Sequence, residues 1–383
     1  MISKRVSKIS SSGIRKFFDL VLGAEDVISL GVGEPDFITP WEIRESAIYA
    51  IEKGYTSYTS NYGLLELRKA ISKYIYDKHG VSYNYENEIL VTSGVSEAYD
   101  LAIRTITDPG DEIIVVEPSY VAYKPCIILV DGVAVSLPTS IENNFVPTYE
   151  EIEKKITDKT KAIVLNYPNN PTGAILDKKQ MEEIADVVVN HDLILISDEI
   201  YEDLTYNGKH ISFSSLNGMK DRTILLNGFS KAYAMTGWRV GYIASNKEII
   251  EGAVKIHQYT SICAPIMSQM AAIEAITNGN NTKQEMIDEY NRRRRIIVGR
   301  LKEMGLNLSE TKGAFYVFPS LNGYLGSEEF SERLLKEKKV AVVPGNAFGD
   351  CGEGFIRISY ATSRKNLIDA ADRISEFLNS LKE

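Results

Sequence analysis

The chain has 383 residues, 44% of them hydrophobic and 25% charged, with a formal net charge of −9. This composition excludes disorder, and the length suggests about two domains. The acidic balance argues against nucleic acid or an anionic membrane as the main partner, since both are met with basic surfaces.

The N-terminal MISKRVSKIS carries its charges ahead of serines rather than an apolar run, so no signal peptide is expected. No apolar stretch approaches the roughly 18 residues that span a bilayer, and a soluble, cytoplasmic protein is expected. From about residue 45 to 285, short β-branched runs alternate with helical patterns. The predicted strands are EILVTSG (88–94), DEIIVVEP (111–118), VAVSLPT (133–139), KAIVLNYP (161–168), DLILISDE (192–199), RTILLNGFS (222–230) and RVGYIAS (239–245). Their near-continuous hydrophobicity is the pattern of a parallel sheet covered on both faces. Between them, SEAYDLAIRTIT (96–107) and DKKQMEEIADVVVNH (177–191) repeat apolar residues every three or four positions, as helices do. This order predicts an α/β domain with a mostly parallel seven-stranded sheet flanked by helices.

Beyond residue 285 the style changes. A helical pattern over 283–304 leads into GAFYVFPS, a helix over SEEFSERLLKEK, the short runs VAVVPG and FIRISYAT, and a closing helix. A smaller α+β domain is expected there. The expected division is 1–44 as an N-terminal arm and part of the small domain, 45–285 as the large domain and 286–383 as the small C-terminal domain. The run RRRR (292–295) falls in the helical pattern and reads as a solvated or paired face. Cys126, Cys263 and Cys351 show no CxxC spacing, and His79, His191, His210 and His257 form no ligand motif, so neither a disulfide framework nor a metal site is expected.

In open α/β sheets, ligands bind beyond the carboxyl ends of the strands. The predicted strand ends deliver Ser93 and Gly94, then Asn170 in YPNNPTG, then Asp198 and Tyr201, then Ser230 and Lys231. A hydroxyl, an amide, a carboxylate, a phenol and an amine are thereby gathered on one edge. Singly, Asp198 could pair with a surface base, Tyr201 could pack and Asn170 could cap a turn. Together they are harder to dismiss. A helix starting after Ser93-Gly94 offers about half a positive charge and unpaired N–H groups, and Arg239 would bring the total to about +1.5, close to what a phosphate monoester needs. No GxxxxGK[ST] occurs, and GVGEPD (31–36) lacks the third glycine of a dinucleotide loop. Ser230 and Arg239 then hold the phosphate, and Lys231 reaches a carbonyl of the same ligand.

An amine for a carbonyl, an aspartate for a ring nitrogen and a phosphate cup together describe pyridoxal phosphate. The chain resembles a class I aminotransferase of the fold-type-I pyridoxal-phosphate superfamily, in the aspartate and aromatic amino acid branch. The motifs are LGVGEPDF (30–37), YTSNYG (58–63), TSGVSEA (92–98), EPSY (117–120), NNPTG (169–173), SDEIY (197–201), GFSKAYAMTGWRVG (228–241) and RISYATS (357–363).

The resemblance implies a role for each matching residue. Lys231 forms the Schiff base with the cofactor and later moves the substrate α-proton, helped by a depressed pKa from burial and from Arg239. Asp198 pairs with the pyridinium nitrogen, Tyr201 and Asn170 hydrogen-bond the phenolic oxygen, and Tyr120 stacks on the ring. The phosphate is met by Ser93, Gly94, Val95, Ser230 and Arg239, and Tyr58 reaches the phosphate of the partner subunit in a homodimer with shared active sites. Simple packing is the alternative for Tyr58. Arg357 clamps the substrate α-carboxylate, and Gly33 lets the backbone approach it, with Tyr120 and Asn170 nearby.

The resemblance further implies an amino acid donor, aspartate or aromatic, and a 2-oxo acid acceptor, 2-oxoglutarate by family default, in a ping-pong sequence. A lysine that helps hold the distal carboxylate in the branch's bacterial aspartate enzymes is matched here by Val95, which weakens the case for aspartate. The segment ISSSGIRKFFDL is expected to form a lid helix whose Ile14, Phe17 and Phe18 either contact an apolar substrate or pack. Another fold-type-I activity, a lyase or decarboxylase, is the alternative; a non-catalytic cofactor-binding protein is disfavoured.

Overall fold

The computed structural model describes residues 2–9 and 26–382, so the expected lid residues Ile14, Phe17 and Phe18 lie outside the described residues. After a two-residue strand, β1 (Ile28–Ser29), the chain builds one large sheet. Its strands are β2 (Ile89–Thr92), β3 (Glu112–Glu117), β4 (Val133–Pro138), β5 (Thr160–Asn166), β6 (Ile194–Asp198), β7 (Thr223–Gly228) and β8 (Gly241–Ala244). They lie in the order β2-β8-β7-β6-β5-β3-β4. Every pair is parallel except those of β8, which runs antiparallel to both β2 and β7.

The residues explain the layers. β2 is buried at every position and β3, β5 and β7 at nearly every one, because helices cover both faces of the sheet. On one face, Val95–Ile106 and Lys247–Thr260 pack their apolar stripes against Leu90, Val115, Val164 and Ile196. On the other, Lys178–Asn190 brings Met181, Ile184 and Val188 against Ile114, Ile163 and Leu195. That helix starts on a capping box of Asp177 and Gln180.

The C-terminal part begins on the long helix Asn280–Glu303 and continues through β9 (Tyr316–Val317), the helix Ser327–Lys338, β10 (Val340–Ala341), β11 (Val343–Pro344), β12 (Ile356–Ser359) and the closing helix Arg364–Ser380. Strands β11, β12 and β9 form a small antiparallel sheet. β1 pairs in parallel with β10, which carries the start of the chain's main body into this region. The arginine run is a paired face: Arg293 reaches Asp36 at 2.7 Å and Glu289 at 3.0 Å, and Arg292 and Arg364 share the same Glu289.

Candidate active site

The site lies where five strands of the large sheet end. β5 stops at Asn166, whose amide Nδ2 donates to the Asp198 carbonyl at 2.9 Å, while its Oδ1 accepts from the Asn170 N–H at 3.0 Å. One buried side chain therefore fixes both the end of β6 and the NNPTG turn. Asp198 is the last residue of β6. Its Oδ2 accepts a hydrogen bond from the Tyr123 hydroxyl at 2.6 Å and its Oδ1 one from the Ile200 N–H at 3.2 Å. Burial pushes the carboxyl up to about 6 against the opposing pull of these donors and of Lys231. Neither Asn166 nor Tyr123 was anticipated, and Tyr123 carries no sequence signal among 22 tyrosines.

The segment after β6 faces two ways. Asp198 and Tyr201 point to the cleft, whereas Glu199, Glu202 and Asp203 enter a buried ionic network behind it. Glu202 accepts from Tyr74 and Asn227 and pairs with His79 at 2.8 Å and Lys78 at 3.2 Å. Glu199 takes His210 at 2.8 Å, plus the hydroxyls of Ser197 and Ser212. Lys78 and Lys283 both reach Asp203. The grouping of His79, Glu199 and Glu202 was not legible from histidine spacing. Burial alone would lower the His79 pKa, but the Glu202 carboxylate more than offsets that and raises it.

Twelve residues join β7 to the reversed β8 and carry Ser230, Lys231 and Arg239. The Lys231 ammonium donates to the Gly33 carbonyl at 2.7 Å. Burial, first of all, pushes its pKa down to about 8; Glu34 and Asp198 oppose the shift, and Arg357 and Arg239 add to it. Arg239 has a left-handed backbone, φ 52°, and its guanidinium spans the loop to the carbonyls of Thr236 at 3.0 Å and Ser93 at 3.4 Å. It crosses over Gly94, φ 78°, where a Cβ would stand 2.5 Å from Arg239 Nη2. Only glycine leaves that space.

Of the three phosphate donors expected at the helix start, Val95 lines the cleft. The Ser93 N–H is bound to the Glu97 carboxylate and the Gly94 N–H to the Thr92 carbonyl, and neither residue lines the cleft. Among the described residues, the N–H groups of Val95, Ser96 and Glu97 lack partners, and Val95 and Ser96 stand on the cleft wall. They are the first turn of the helix Val95–Ile106, the place where a helix offers free donors. Ser230 also lines the wall. Glu97 is held from behind by the fully buried His257 at 3.0 Å.

At the opposite end, Arg357 on β12 is 3% exposed and stacks over Tyr316 at 4.5 Å and Phe348 at 4.9 Å. Its Nη1 donates to Asn170 Oδ1 at 2.9 Å and its Nη2 to the Gly31 carbonyl at 2.6 Å, while Nε has no partner. No carboxylate of the described residues pairs with it. Gly33 is close by: a Cβ there would stand 2.9 Å from the Tyr316 hydroxyl, 3.7 Å from Arg357 Nη2. Tyr316, fully buried and bonded to the Tyr201 hydroxyl at 2.9 Å, is a third residue that sequence reading missed. Tyr120 lines the cleft edge-on to Tyr123, 5.7 Å between ring centres. Tyr58 is 79% exposed and does not line the cleft of its own chain.

The cleft, of about 540 Å³, holds three cations, Lys231, Arg239 and Arg357, against the two acids Glu34 and Asp198. Free helix amides and a guanidinium form an anion cup at one end, an unpaired guanidinium waits at the other, and a low-pKa amine with a buried carboxylate lies between. These residues fit pyridoxal phosphate: the free helix amides and Arg239 offer the donors and charge a phosphate needs, and the partnerless Nε of Arg357 leaves a buried cation for a carboxylate. A site of this kind suits an enzyme that works on amino acids through that cofactor.

The chain belongs to the class I and II aminotransferases, whose family profile matches residues 25–374. It is 48% identical to the putative aminotransferase YugH of Bacillus subtilis, over 99% of this chain and 98% of that protein. It is 45% identical to aromatic-amino-acid aminotransferase 2 of Thermococcus litoralis (100% and 99%), and 46% identical to an aspartate aminotransferase of Pyrococcus abyssi (100% and 99%). Among solved structures, the aspartate aminotransferase of Thermus thermophilus with maleate superposes with a TM-score of 0.94 at 37% identity, over 98% of this chain and 99% of that one.

Proposed function

We propose that the cleft residues act as follows in the transamination of an aromatic or acidic L-amino acid, with 2-oxoglutarate as the acceptor. When bound, the cofactor supplies an aldehyde carbon for amines to attack and a ring that takes up the electron pair left at the substrate Cα. Lys231 would supply the free amine for that aldehyde carbon, and then the base that takes the substrate α-proton and returns it two atoms away, across the nitrogen. Asp198 keeps the ring nitrogen protonated, and Tyr123 holds that carboxylate in place. Tyr201 and the amide nitrogen of Asn170 donate to the cofactor's 3′-oxygen. The amides of Val95 and Ser96, the Ser230 hydroxyl and Arg239 hold the phosphate.

The observation that carries the reading is Arg357: a buried guanidinium, partnerless at Nε and facing no carboxylate of the described residues, in the same cleft as Lys231. A buried charge of this kind is costly unless a ligand completes it. Bidentate carboxylate binding suits its planar fork.

The aromatic donor is favoured over aspartate. Among the described residues, the three cations of the cleft all have other work, and Val95, Tyr99, Tyr120 and Ile200 give the walls apolar and aromatic surface. A homodimer completes the site. Ile38, Trp41, Tyr49, Ile51, Tyr58 and Tyr259 are large and exposed, residues suited to burial against a second copy, and Tyr58 does not line its own cleft. A cytoplasmic setting agrees with three free, half-buried cysteines.

The test is a half-reaction titration: the cofactor-loaded protein is mixed with L-tyrosine, L-aspartate or L-alanine, and loss of the visible band is followed. Faster conversion by tyrosine supports the donor proposed; faster conversion by aspartate shows that another cation serves the distal carboxylate. A band that no amino acid converts overturns the reading.

A further inference from the structure

The Tyr201 and Tyr316 hydroxyls lie 2.9 Å apart, both buried, on chain segments 115 residues apart. Among the described residues Tyr316 makes no other side-chain hydrogen bond, and its ring is fixed between Tyr201, edge-on at 5.8 Å, and the Arg357 guanidinium. Burial raises the pKa of both phenols, so each carries its proton across the neutral range. A phenol has one proton to give. Within the pair alone either hydroxyl can be the donor. Once Tyr201 spends its proton on the cofactor's 3′-oxygen, as in the function proposed above on which this inference rests, it can only accept from Tyr316.

We infer that Tyr316 is a positioning residue that sets the acidity of the lysine-linked cofactor through a directed chain, Tyr316 to Tyr201 to the 3′-oxygen. A phenol that accepts a hydrogen bond becomes a better donor, because chained hydrogen bonds polarise one another. Tyr316 therefore strengthens the bond that stabilises the 3′-oxygen anion, and lowers the pH at which the linked nitrogen loses its proton. It does so without touching the cofactor.

The experiment is a spectroscopic pH titration of the visible band in the cofactor-loaded parent and in Tyr201→Phe, Tyr316→Phe and the double variant, with thermal unfolding of each as a check on folding. Tyr201→Phe raises the midpoint most. Tyr316→Phe raises it by a smaller step, about 0.1–0.7 pH unit, which is 10–30% of one charge-assisted hydrogen bond. The double variant titrates with Tyr201→Phe, since Tyr316 acts only through that residue. A Tyr316→Phe midpoint equal to the parent's overturns the inference, and so does a double-variant shift equal to the sum of the single shifts. Failure of the underlying reading looks different: the parent with added cofactor then shows no pH-dependent band at all.

Discussion

Arg357 and Asn170, separated by 187 residues of sequence, meet through a 2.9 Å hydrogen bond from the guanidinium Nη1 to the amide Oδ1. With its oxygen engaged, Asn170 has only its NH₂ to turn toward the cleft. The residue proposed to take the substrate carboxylate thus also orients a residue proposed to hold the cofactor. Because the Asn170 turn follows the large sheet while Arg357 lies on the small one, this bond ties the two sheets together at the site.

Arg357→Lys keeps the charge and loses the fork. Two charge-assisted hydrogen bonds of about 1.5–3 kcal/mol each are at stake, so kcat/KM for the amino donor should fall by about 100-fold or more. The visible band should survive. Stopped-flow half-reactions measure both, and a loss under about threefold would remove Arg357 from carboxylate binding.

Lys231→Ala should hold cofactor without the lysine linkage and lose turnover by several orders of magnitude, as other nucleophile removals do. In the parent, only the free amine attacks an aldehyde. Since burial brings Lys231 down to about 8, cofactor uptake by the empty protein should quicken about tenfold per pH unit up to that point and level off above it. An ordinary lysine would level off only near about 10.4. Stopped-flow absorbance across this range decides between them.

Gly94→Ala places a Cβ 2.5 Å from Arg239 Nη2 at a backbone φ of 78°. The guanidinium can swing away, so the chain should still fold, with a strain of about 1–3 kcal/mol for an alanine at φ 78° and ψ 168°, a region essentially reserved to glycine. Cofactor affinity should drop at least about tenfold through loss of the arginine's charge-assisted contact. Equilibrium dialysis gives the answer, and unchanged affinity would place the phosphate elsewhere.

The buried pair of His79 and Glu202 predicts a pH-dependent stability. The folded-state pKa of His79 is raised, so its contribution is fully present below its unfolded value near about 6.5 and is lost as pH rises through the folded value. Urea unfolding of the parent and of His79→Gln should therefore differ most at mildly acidic pH and converge as pH increases. A gap that widens with pH would reverse the sign and refute the pairing.

Much of this was legible in advance, for identifiable reasons. The seven long strands stood out because a sheet covered on both faces needs near-continuous apolar runs, and β2 to β8 all fall within the predicted stretches to within a residue. Strand direction leaves no such trace. Arg239 precedes β8, so in an all-parallel sheet it would sit at the edge opposite Asp198; the reversal of β8 brings it to the same edge. Of the donors expected at the helix start, Val95 lines the cleft, while the Ser93 N–H is taken by the side chain of Glu97, which folds back onto it, a contact no spacing announces. Tyr316 and Tyr123 were invisible, since tertiary placement alone makes them part of the site.

The reversed β8 has one more consequence. Gly228 and Gly241 pair across the base of the β7–β8 connection, so the chain between them is a closed span anchored at both feet. Lys231 stands three residues from one foot and Arg239 two from the other. The span works as a calliper: its residue count sets the gap between amine and guanidinium, independently of how the rest of the molecule moves. A residue inserted into it would reset that gap while leaving every strand where it was.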